Sequence, residues 1–333
     1  MREKFRTEPK IEYREEKHSS VRKIIGSASE EHKGKIKEEM KRRFDNQDSV
    51  WEYVPGLKEK EIEKTPEEIE IIKLVNNKTN EFLSKLELEK FNVFTNNVHL
   101  FKQKDYQEFL GDGLAEFFPY GQNIFISGTQ SRLKFTESCI HEMSHFKSFQ
   151  TFQAKEKKPA VMRQIGLLID IKPKKKLFEH LNEAVTEEVT KRIFYSLISQ
   201  KPKLLEKEIE ETERIKKEFL ARGNDKNNVD DIYFAQTYPV SINGKKEYTT
   251  ETEGFHYFQE RKILNNLIEK IYLKNKDKFK DKEEVFDLFA KSAFTGKLSW
   301  GILIDRTFGK GTFKRLAQLD KNVDELEKFV DNL

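Results

Sequence analysis

The chain has 333 residues, which is enough for one large or two ordinary domains with a sizeable core. A 12% aromatic content argues against disorder over most of the chain, and a 36% charged content predicts long solvated helices. The net charge of +4, with Lys and Glu alternating, predicts no nucleic-acid partner, and the absence of an apolar run of about 18 residues predicts no membrane span.

The amino-terminal segment 1–64 is rich in charge, and its apolar stripe is thin. We therefore predict a charged arm that is peripheral or partly flexible, followed by the main domain over 65–333. The first residues, MREKFRTEPK, lack the apolar core of a secretory signal. The single cysteine, Cys139, fits a reducing compartment, so we expect a cytoplasmic protein in which this residue is a buried structural thiol.

A helix is predicted where the charged segment ends. Thr65 is a suitable N-cap, Pro66 suits the first helical position, and Glu68 completes a capping box. Two runs with the composition of strands follow, NVHLF at 97–101 and NIFIS at 123–127. The sequence therefore predicts a small sheet between this helix and the next one.

The next predicted helix contains TESCIHEMSHFKSFQ at 136–150. After it, apolar residues of AVMRQIGLLIDI occupy odd positions over 160–171, and this period of two predicts one strand, although Gly166 within it weakens the pattern. The polar segment KPKKK at 172–176 is expected to be an exposed connection.

The remainder of the chain is predicted to be mostly helical. One helix covers 177–199, and a highly charged helix, expected to form an exposed arm, opens at Pro202 and closes at Gly223. Asn-Gly at 243–244 predicts a β-hairpin. A helix over 255–273 and two or three shorter helices complete the chain.

The helix at 136–150 places His141 and His145 one turn apart on the same face. Two imidazoles at this spacing can bind one metal ion at the distance of about 2.0–2.1 Å that zinc prefers. Glu142 points about 100° away from His141, where it can reach a ligand of that ion as a general base. The alternative is a buried amphipathic helix in which both histidines are ordinary core or surface groups.

A hydrolytic zinc ion has three protein ligands and one position for water, so a third ligand must come from elsewhere in the chain. The helix over 177–199 offers Glu183 and Glu187, which share a face. One can bind the ion, and the other can accept a hydrogen bond from the free ring nitrogen of a ligand histidine. His180 is a spare ligand candidate, and an exposed acidic face is the alternative interpretation of the two glutamates.

HEMSH followed by NEAVTE resembles the gluzincins, the thermolysin-like zinc metallopeptidases, whose signature is H-E-x-x-H on one helix and N-E-x-x-[ST]-[DE] on the next. The likeness covers these two helices and, more loosely, the strand before them. It implies His141, His145 and Glu183 as ligands of one zinc ion per chain. It also implies Glu142 as the general base and Glu187 as the carboxylate that orients a ligand histidine. Many relatives have Asp where this chain has Glu187, which is a departure from the family pattern.

The resemblance further implies an edge strand that pairs with an extended peptide substrate. The candidate strand is NIFIS, which consists of Asn123, Ile124, Phe125, Ile126 and Ser127. Gluzincins also supply a Tyr or His from their helical carboxyl-terminal part to stabilise the developing oxyanion. Tyr248, His256 and Tyr257 lie in a suitable part of the chain, and Tyr257 is our choice because it begins a predicted helix.

The expected fold is α+β and mainly helical, with a zincin-like order of small sheet, active-site helix and helical carboxyl-terminal part. The sheet and the active-site helix fall in 65–155, and the helical part with the third ligand falls in 156–333. The predicted function is a zinc-dependent metallopeptidase that acts on a peptide or protein substrate, with no nucleic-acid or membrane partner. A catalytically inactive zincin-fold binding or scaffold protein is the first alternative, and a Lys/Glu-rich interaction protein without metal is the second. The sequence leaves the oligomeric state open.

Overall fold

The computed structural model describes residues 21–52, 54–128, 131–156, 158–172, 175–242 and 245–333. These residues form a mainly helical α+β fold, which confirms the predicted class. The α-helices are α1 (Glu30–Asp45), α2 (Pro66–Lys85), α3 (Gln103–Leu110), α4 (Arg132–Lys147), α5 (Glu179–Ile198), α6 (Glu206–Ala221), α7 (Lys226–Asp231), α8 (Phe258–Lys274), α9 (Lys282–Thr295), α10 (Ser299–Phe308), α11 (Thr312–Leu319) and α12 (Val323–Asp331). None of these helices combines the length and apolar character needed to cross a lipid bilayer.

The strands form three small sheets. They are β1 (Val21–Ile25), β2 (Glu61–Ile62), β3 (Val98–Phe101), β4 (Ala115–Phe118), β5 (Asn123–Ser127), β6 (Gln150–Lys155), β7 (Lys158–Ile165), β8 (Leu168–Lys172), β9 (Lys175–Leu177), β10 (Ile232–Ile242) and β11 (Lys245–Gly254). The four-stranded sheet has the order β2-β3-β5-β4, the five-stranded sheet has the order β1-β6-β7-β8-β9, and β10 and β11 form a ribbon. The register of the ribbon, with Ile242 opposite Lys245, agrees with the predicted hairpin, whose tip at 243–244 lies outside the described residues.

The helix α2 begins as the sequence predicts. The Thr65 side chain accepts from the Glu68 N–H, and the Glu68 carboxylate accepts from the Thr65 N–H at 2.7 Å. The end of α4 also contacts α2 through polar groups. The Lys147 side chain of α4 is buried, and it donates to Asn76 O at 3.1 Å and Asn80 Oδ1 at 3.0 Å. Burial lowers the pKa of Lys147 well below its usual value. These contacts hold the end of α4 against α2.

The described parts of the amino-terminal segment, 21–52 and 54–64, are packed into the fold, which differs from the predicted peripheral arm. The strand β1 pairs in parallel with β6, and Phe44 of α1 is buried in the main core. Val50 and Leu57 are fully buried in a second, smaller cluster. The sequence did not reveal this packing because the apolar residues are few and form no long stripe of helical or strand period. Residues 1–20 lie outside the described part of the chain.

The segment predicted as one strand over 160–171 is a hairpin of β7 and β8. The two strands meet at a tight turn in which Ile165 pairs with Leu168 and Gly166 has a φ of +57°. A Cβ at Gly166 would lie 2.4 Å from Asn182 Oδ1 of α5, so only glycine fits this close approach. The single-strand prediction is wrong because a period of two continues across a two-residue turn. The segment after the hairpin is also partly a strand, β9, rather than only a connection.

The helical carboxyl-terminal part agrees with the sequence in its main elements. The helix α8 buries Leu264, Leu267 and Ile271 completely. The charged helix α6 is less exposed than predicted, since it packs on β10 and buries Ile209 and Ile215. Four short helices, α9 to α12, end the described chain where the sequence predicts two or three. These helices are short and are stabilised mainly by packing against one another. Sequence periodicity does not reveal such packing.

Candidate metal centre

The helix α4 lies in the middle of the fold. Ser131 caps its first turn, and Ile140, Met143 and Phe146 are completely buried in the main core. His141 and His145 lie on the face that turns towards α5, and each side chain is 12% exposed. Most of the surface of α4 therefore lies in the core. His141 and His145 lie on a face of the helix that is less buried than the rest.

The two histidines and Glu183 bring three ligand atoms together. His145 Nε2 lies 3.1 Å from His141 Nε2 and 3.2 Å from Glu183 Oε2, and His141 Nε2 lies 3.6 Å from Glu183 Oε2. Ligand atoms placed about 2.1 Å from a tetrahedral zinc ion lie about 3.4 Å from one another. Two ring nitrogens this close repel unless a proton or a cation lies between them. The three side chains therefore fit a divalent cation.

Local contacts of α5 hold Glu183 in this position. Asn182, the residue before it, donates to Glu183 Oε1 at 3.2 Å and accepts from the Leu167 N–H at 2.8 Å. Asn182 thus connects the β7–β8 turn to the third ligand. It binds Glu183 Oε1, so Glu183 Oε2 is the oxygen that faces the histidines. The sequence did not assign a role to Asn182, although this residue is the N of the NEAVTE motif. The nearby histidines hold the pKa of Glu183 well below its usual value despite burial, so its carboxylate is ionised.

Glu187 orients the first histidine from behind. It is fully buried, and its Oε2 lies 2.7 Å from His141 Nδ1, while its Oε1 accepts from the His256 N–H at 2.5 Å. We assign the His141 Nδ1–H as the donor to Glu187 Oε2, which leaves His141 Nε2 to face His145 and Glu183. Burial alone would lower the pKa of His141, but the contacts with Glu183 and Glu187 raise it well above its usual value.

A second group of possible ligands consists of Glu137, His141 and Glu187. Within this group, His141 Nδ1 lies 2.7 Å from Glu187 Oε2, which is the separation of a charge-assisted hydrogen bond. A metal ion at Nδ1 would have to replace this bond. We therefore assign the cation site to the group of His141, His145 and Glu183, and the Nδ1 side of His141 to the hydrogen bond with Glu187.

Glu142 faces a cleft of about 410 Å³ next to His141. The cleft lies between α4, the start of β4 and the start of α8, and it is lined by Asp112, Gly113, Leu114, Ala115, Glu137, Ser138, His141, Glu142, His256 and Tyr257. Burial raises the pKa of Glu142, and His141, His145 and, least of all, a hydrogen bond from the Phe117 N–H oppose this rise. Glu142 is thus a fixed and poorly solvated carboxylate, which suits a group that exchanges a proton. The sequence did not predict the contact with Phe117.

A larger cleft of about 770 Å³ lies between α5 and α8. None of the residues that the sequence predicts for the site lines it. Its buried charges are paired, since Arg261 binds Asp231 and Asp231 also binds Lys191 at 2.7 Å. This cleft therefore carries no comparable chemistry.

The strand predicted as the substrate edge is not at an edge. β5, which contains Asn123 to Ser127, lies between β3 and β4, and all five of its residues are buried. The outer strands of the described sheet are β2 and β4, and Ala115 of β4 lines the cleft. Leu114 O accepts from the Ser127 N–H at 2.7 Å, so alternate residues of β4 face β5, and Ala115 and Phe117 face outward. The composition of NIFIS correctly indicated a strand. It did not indicate that β4 would pair with the outer edge of this strand.

The structure places Tyr257 and His256 in the cleft and Tyr248 away from it. The Tyr257 ring stacks on His141 with 6.0 Å between the ring centroids, and its backbone has a φ of +55°, where a bulky residue is strained. Burial and the Glu183 carboxylate raise the pKa of Tyr257, so its hydroxyl keeps its proton at neutral pH. Tyr248 lies on the ribbon and is 67% exposed.

Two further candidates lie outside the site. His180 is at the start of α5, where its ring nitrogen lies 3.2 Å from Glu260, so it is not a spare ligand in this arrangement. Cys139 is completely buried in the main core, as expected for a structural thiol. Comparisons with protein-family models, with curated proteins and with solved structures give no match for this chain. The gluzincin resemblance therefore stays a prediction that depends on two motifs.

Proposed function

We propose that this protein is a zinc-dependent metallopeptidase with a zincin-like fold of the gluzincin type. The observation that carries the proposal is the convergence of His141, His145 and Glu183 on one point, beside a buried Glu142 that faces a cleft. Two imidazoles and one carboxylate are the ligand set of hydrolytic zinc sites in peptidases, in which a fourth position stays open. When bound, zinc would supply a Lewis acid that polarises the scissile carbonyl.

Glu142 is the proton carrier in this proposal. Its carboxylate accepts a proton from the attacking water and later donates it to the leaving amine. Burial raises its pKa, which makes both transfers more nearly balanced near neutral pH. The Phe117 N–H lowers this pKa slightly, which favours the ionised form that accepts the first proton.

The outer strand β4 is the surface on which we expect a peptide substrate to lie. The outward N–H and C=O of Ala115 can pair with an extended peptide, as in other cases of β-strand addition. The Phe117 N–H already binds Glu142, so this pairing is limited to the start of β4. Tyr257, which is protonated and close to His141, is the donor that we assign to the developing oxyanion.

The proposal is tested by measuring zinc content and peptide hydrolysis for the wild type and the Glu142→Gln variant. We expect about one zinc ion in each chain for both proteins, an unchanged circular dichroism spectrum, and hydrolysis of a peptide library by the wild type alone. Zinc binding without hydrolysis of any peptide would support the inactive binding or scaffold protein. Equal hydrolysis by the two proteins would exclude Glu142 as the base.

A further inference from the structure

Glu137 is a buried carboxylate without an adequate partner. It lies one turn before His141 on α4, lines the cleft and is only 3% exposed. Its Oε1 has no hydrogen-bond partner in the described part of the chain, and its Oε2 is 3.4 Å from the Ser138 hydroxyl, which is a weak contact. A buried carboxyl oxygen without a partner is costly, and its ionised form needs a cation or several donors that face it. The position therefore suggests a partner that arrives from outside the chain.

The cations near this part of the cleft already have partners. Lys134, one turn before Glu137, binds Glu251 and Glu253 of the ribbon. No Lys or Arg belongs to the described lining, whereas Asp112, Glu137 and Glu142 do. The described residues also form no ion pair between these three carboxylates and a Lys or Arg. Low-dielectric walls that carry one sign of charge concentrate ligands of the opposite sign in the cleft between them.

The proposed metal ion is not the missing partner of Glu137. Glu137 is not among the three side chains that converge on the proposed ion, and His141 Nδ1 is held by Glu187 at 2.7 Å. The ligand atoms that face the proposed ion are on the opposite side of the same ring. The charge that Glu137 attracts is therefore expected on the substrate.

We propose that the cleft selects peptides with a positively charged group close to the bond that is cut, and that Glu137 is the residue that determines this preference. The inference rests on the proposed peptide substrate and specifies its class. The charge is an ammonium group, which either a lysine side chain or the α-amino group of a peptide supplies. A peptide with a neutral or acidic group in the same place would leave Glu137 without a partner.

Calorimetric binding to the zinc-loaded Glu142→Gln protein tests the inference without cleavage of the ligand. One peptide set is acetylated and carries a single lysine moved along an alanine background, with norleucine in its place as the matched control. A second set lacks lysine and differs only in a free or acetylated amino terminus. We expect one lysine position, or the free terminus, to increase affinity by about tenfold or more, as a charge-assisted hydrogen bond does.

The Glu137→Gln exchange in the same background is expected to remove most of this gain while zinc content stays the same. A gain that survives the exchange would overturn the role of Glu137. Equal binding of the lysine and norleucine peptides, together with equal binding of the free and acetylated termini, would overturn the preference itself, even if Glu137→Gln fails to fold. Charge-selective binding without hydrolysis by the wild type would contradict only the proposed function, and unselective hydrolysis would contradict only this inference.

Discussion

His141 Nδ1 lies 2.7 Å from Glu187 Oε2, and this contact joins the two helices that supply all three candidate ligands. It determines which ring nitrogen carries the proton, and so directs Nε2 towards His145 and Glu183. Glu187 is fully buried and also accepts from the His256 N–H, so the start of α8 is held to the same carboxylate. One buried side chain thereby orients a ligand and places the residue next to Tyr257.

Replacement of His145 by Ala should abolish stoichiometric metal binding. Two remaining ligand atoms cannot complete the three-ligand set that a hydrolytic zinc site needs. Elemental analysis of the purified proteins measures this loss. The matched control is His180→Ala, because His180 lies on α5 but contacts Glu260 instead of the site. Equal metal in His145→Ala and the wild type would exclude the proposed centre.

Glu187→Gln should weaken metal binding without abolishing it. The amide is a poorer acceptor for the His141 Nδ1–H, and loss of such a contact typically reduces metal affinity about 10–100-fold. Competition with a chromogenic zinc chelator gives the dissociation constants. Glu179→Gln, an exposed change in the first turn of the same helix, should leave the affinity unchanged. An unaltered constant for Glu187→Gln would show that the contact has no influence on the metal.

Tyr257→Phe should lower kcat and leave metal content unchanged. Removal of one oxyanion donor typically reduces kcat about 10²–10³-fold, because the donor acts mainly in the transition state. Steady-state hydrolysis of one good peptide substrate separates kcat from KM. Tyr248→Phe on the exposed ribbon is the control and should behave as the wild type. A change in KM alone would assign Tyr257 to substrate binding.

Gly166→Ala should destabilise the fold by about 2–4 kcal/mol. The new Cβ would meet Asn182 Oδ1 at 2.4 Å, and the displaced Asn182 would lose its bond from the Leu167 N–H. Gly223→Ala is the control, because Gly223 has a φ of +83° but no atom near its added Cβ. Its cost is therefore only about 1–2 kcal/mol from the left-handed backbone. Urea unfolding compares the two variants, and equal costs would contradict the role of Asn182.

Asp320 should make the free energy of unfolding depend on pH. Burial raises its pKa from 3.8 to about 6, although it accepts from the N–H groups of His180 and Leu181. The folded state holds this proton more tightly than the unfolded state, so the stabilisation is complete below pH 3.8 and is lost as pH rises to about 6. The loss is about 3 kcal/mol.

The Asp320 effect is measured as the difference between the wild type and Asp320→Asn in urea unfolding at several pH values. This difference removes the contribution of the other titrating groups. It should change in favour of Asp320→Asn as pH rises through this range and then become constant. A constant difference from pH 4 to 7 would contradict a raised pKa.

The sequence by itself determined the features that depend on residues three or four apart. The capping box of Thr65 and Glu68, the pairing of His141 with His145 and that of Glu183 with Glu187 follow from helix geometry, which is local. The hydrogen bonds of a helix join residues that are close together in the chain, so the length of a helix and the residues on each of its faces can be predicted from a short stretch of sequence. The site helices were therefore predictable before their partners were known.

Only the tertiary structure decided which elements meet. It brought Glu183 to His145 across 38 positions, covered β5 with β4, and turned 160–171 into a hairpin at Gly166. The pairing of strands and the packing of helices depend on partners that lie far away in the chain, and a period of two or an apolar stripe does not identify the partner. For the same reason, the burial of Glu137 beside the cleft became visible only in the folded chain, as did the lack of a hydrogen-bond partner for its Oε1 among the described residues.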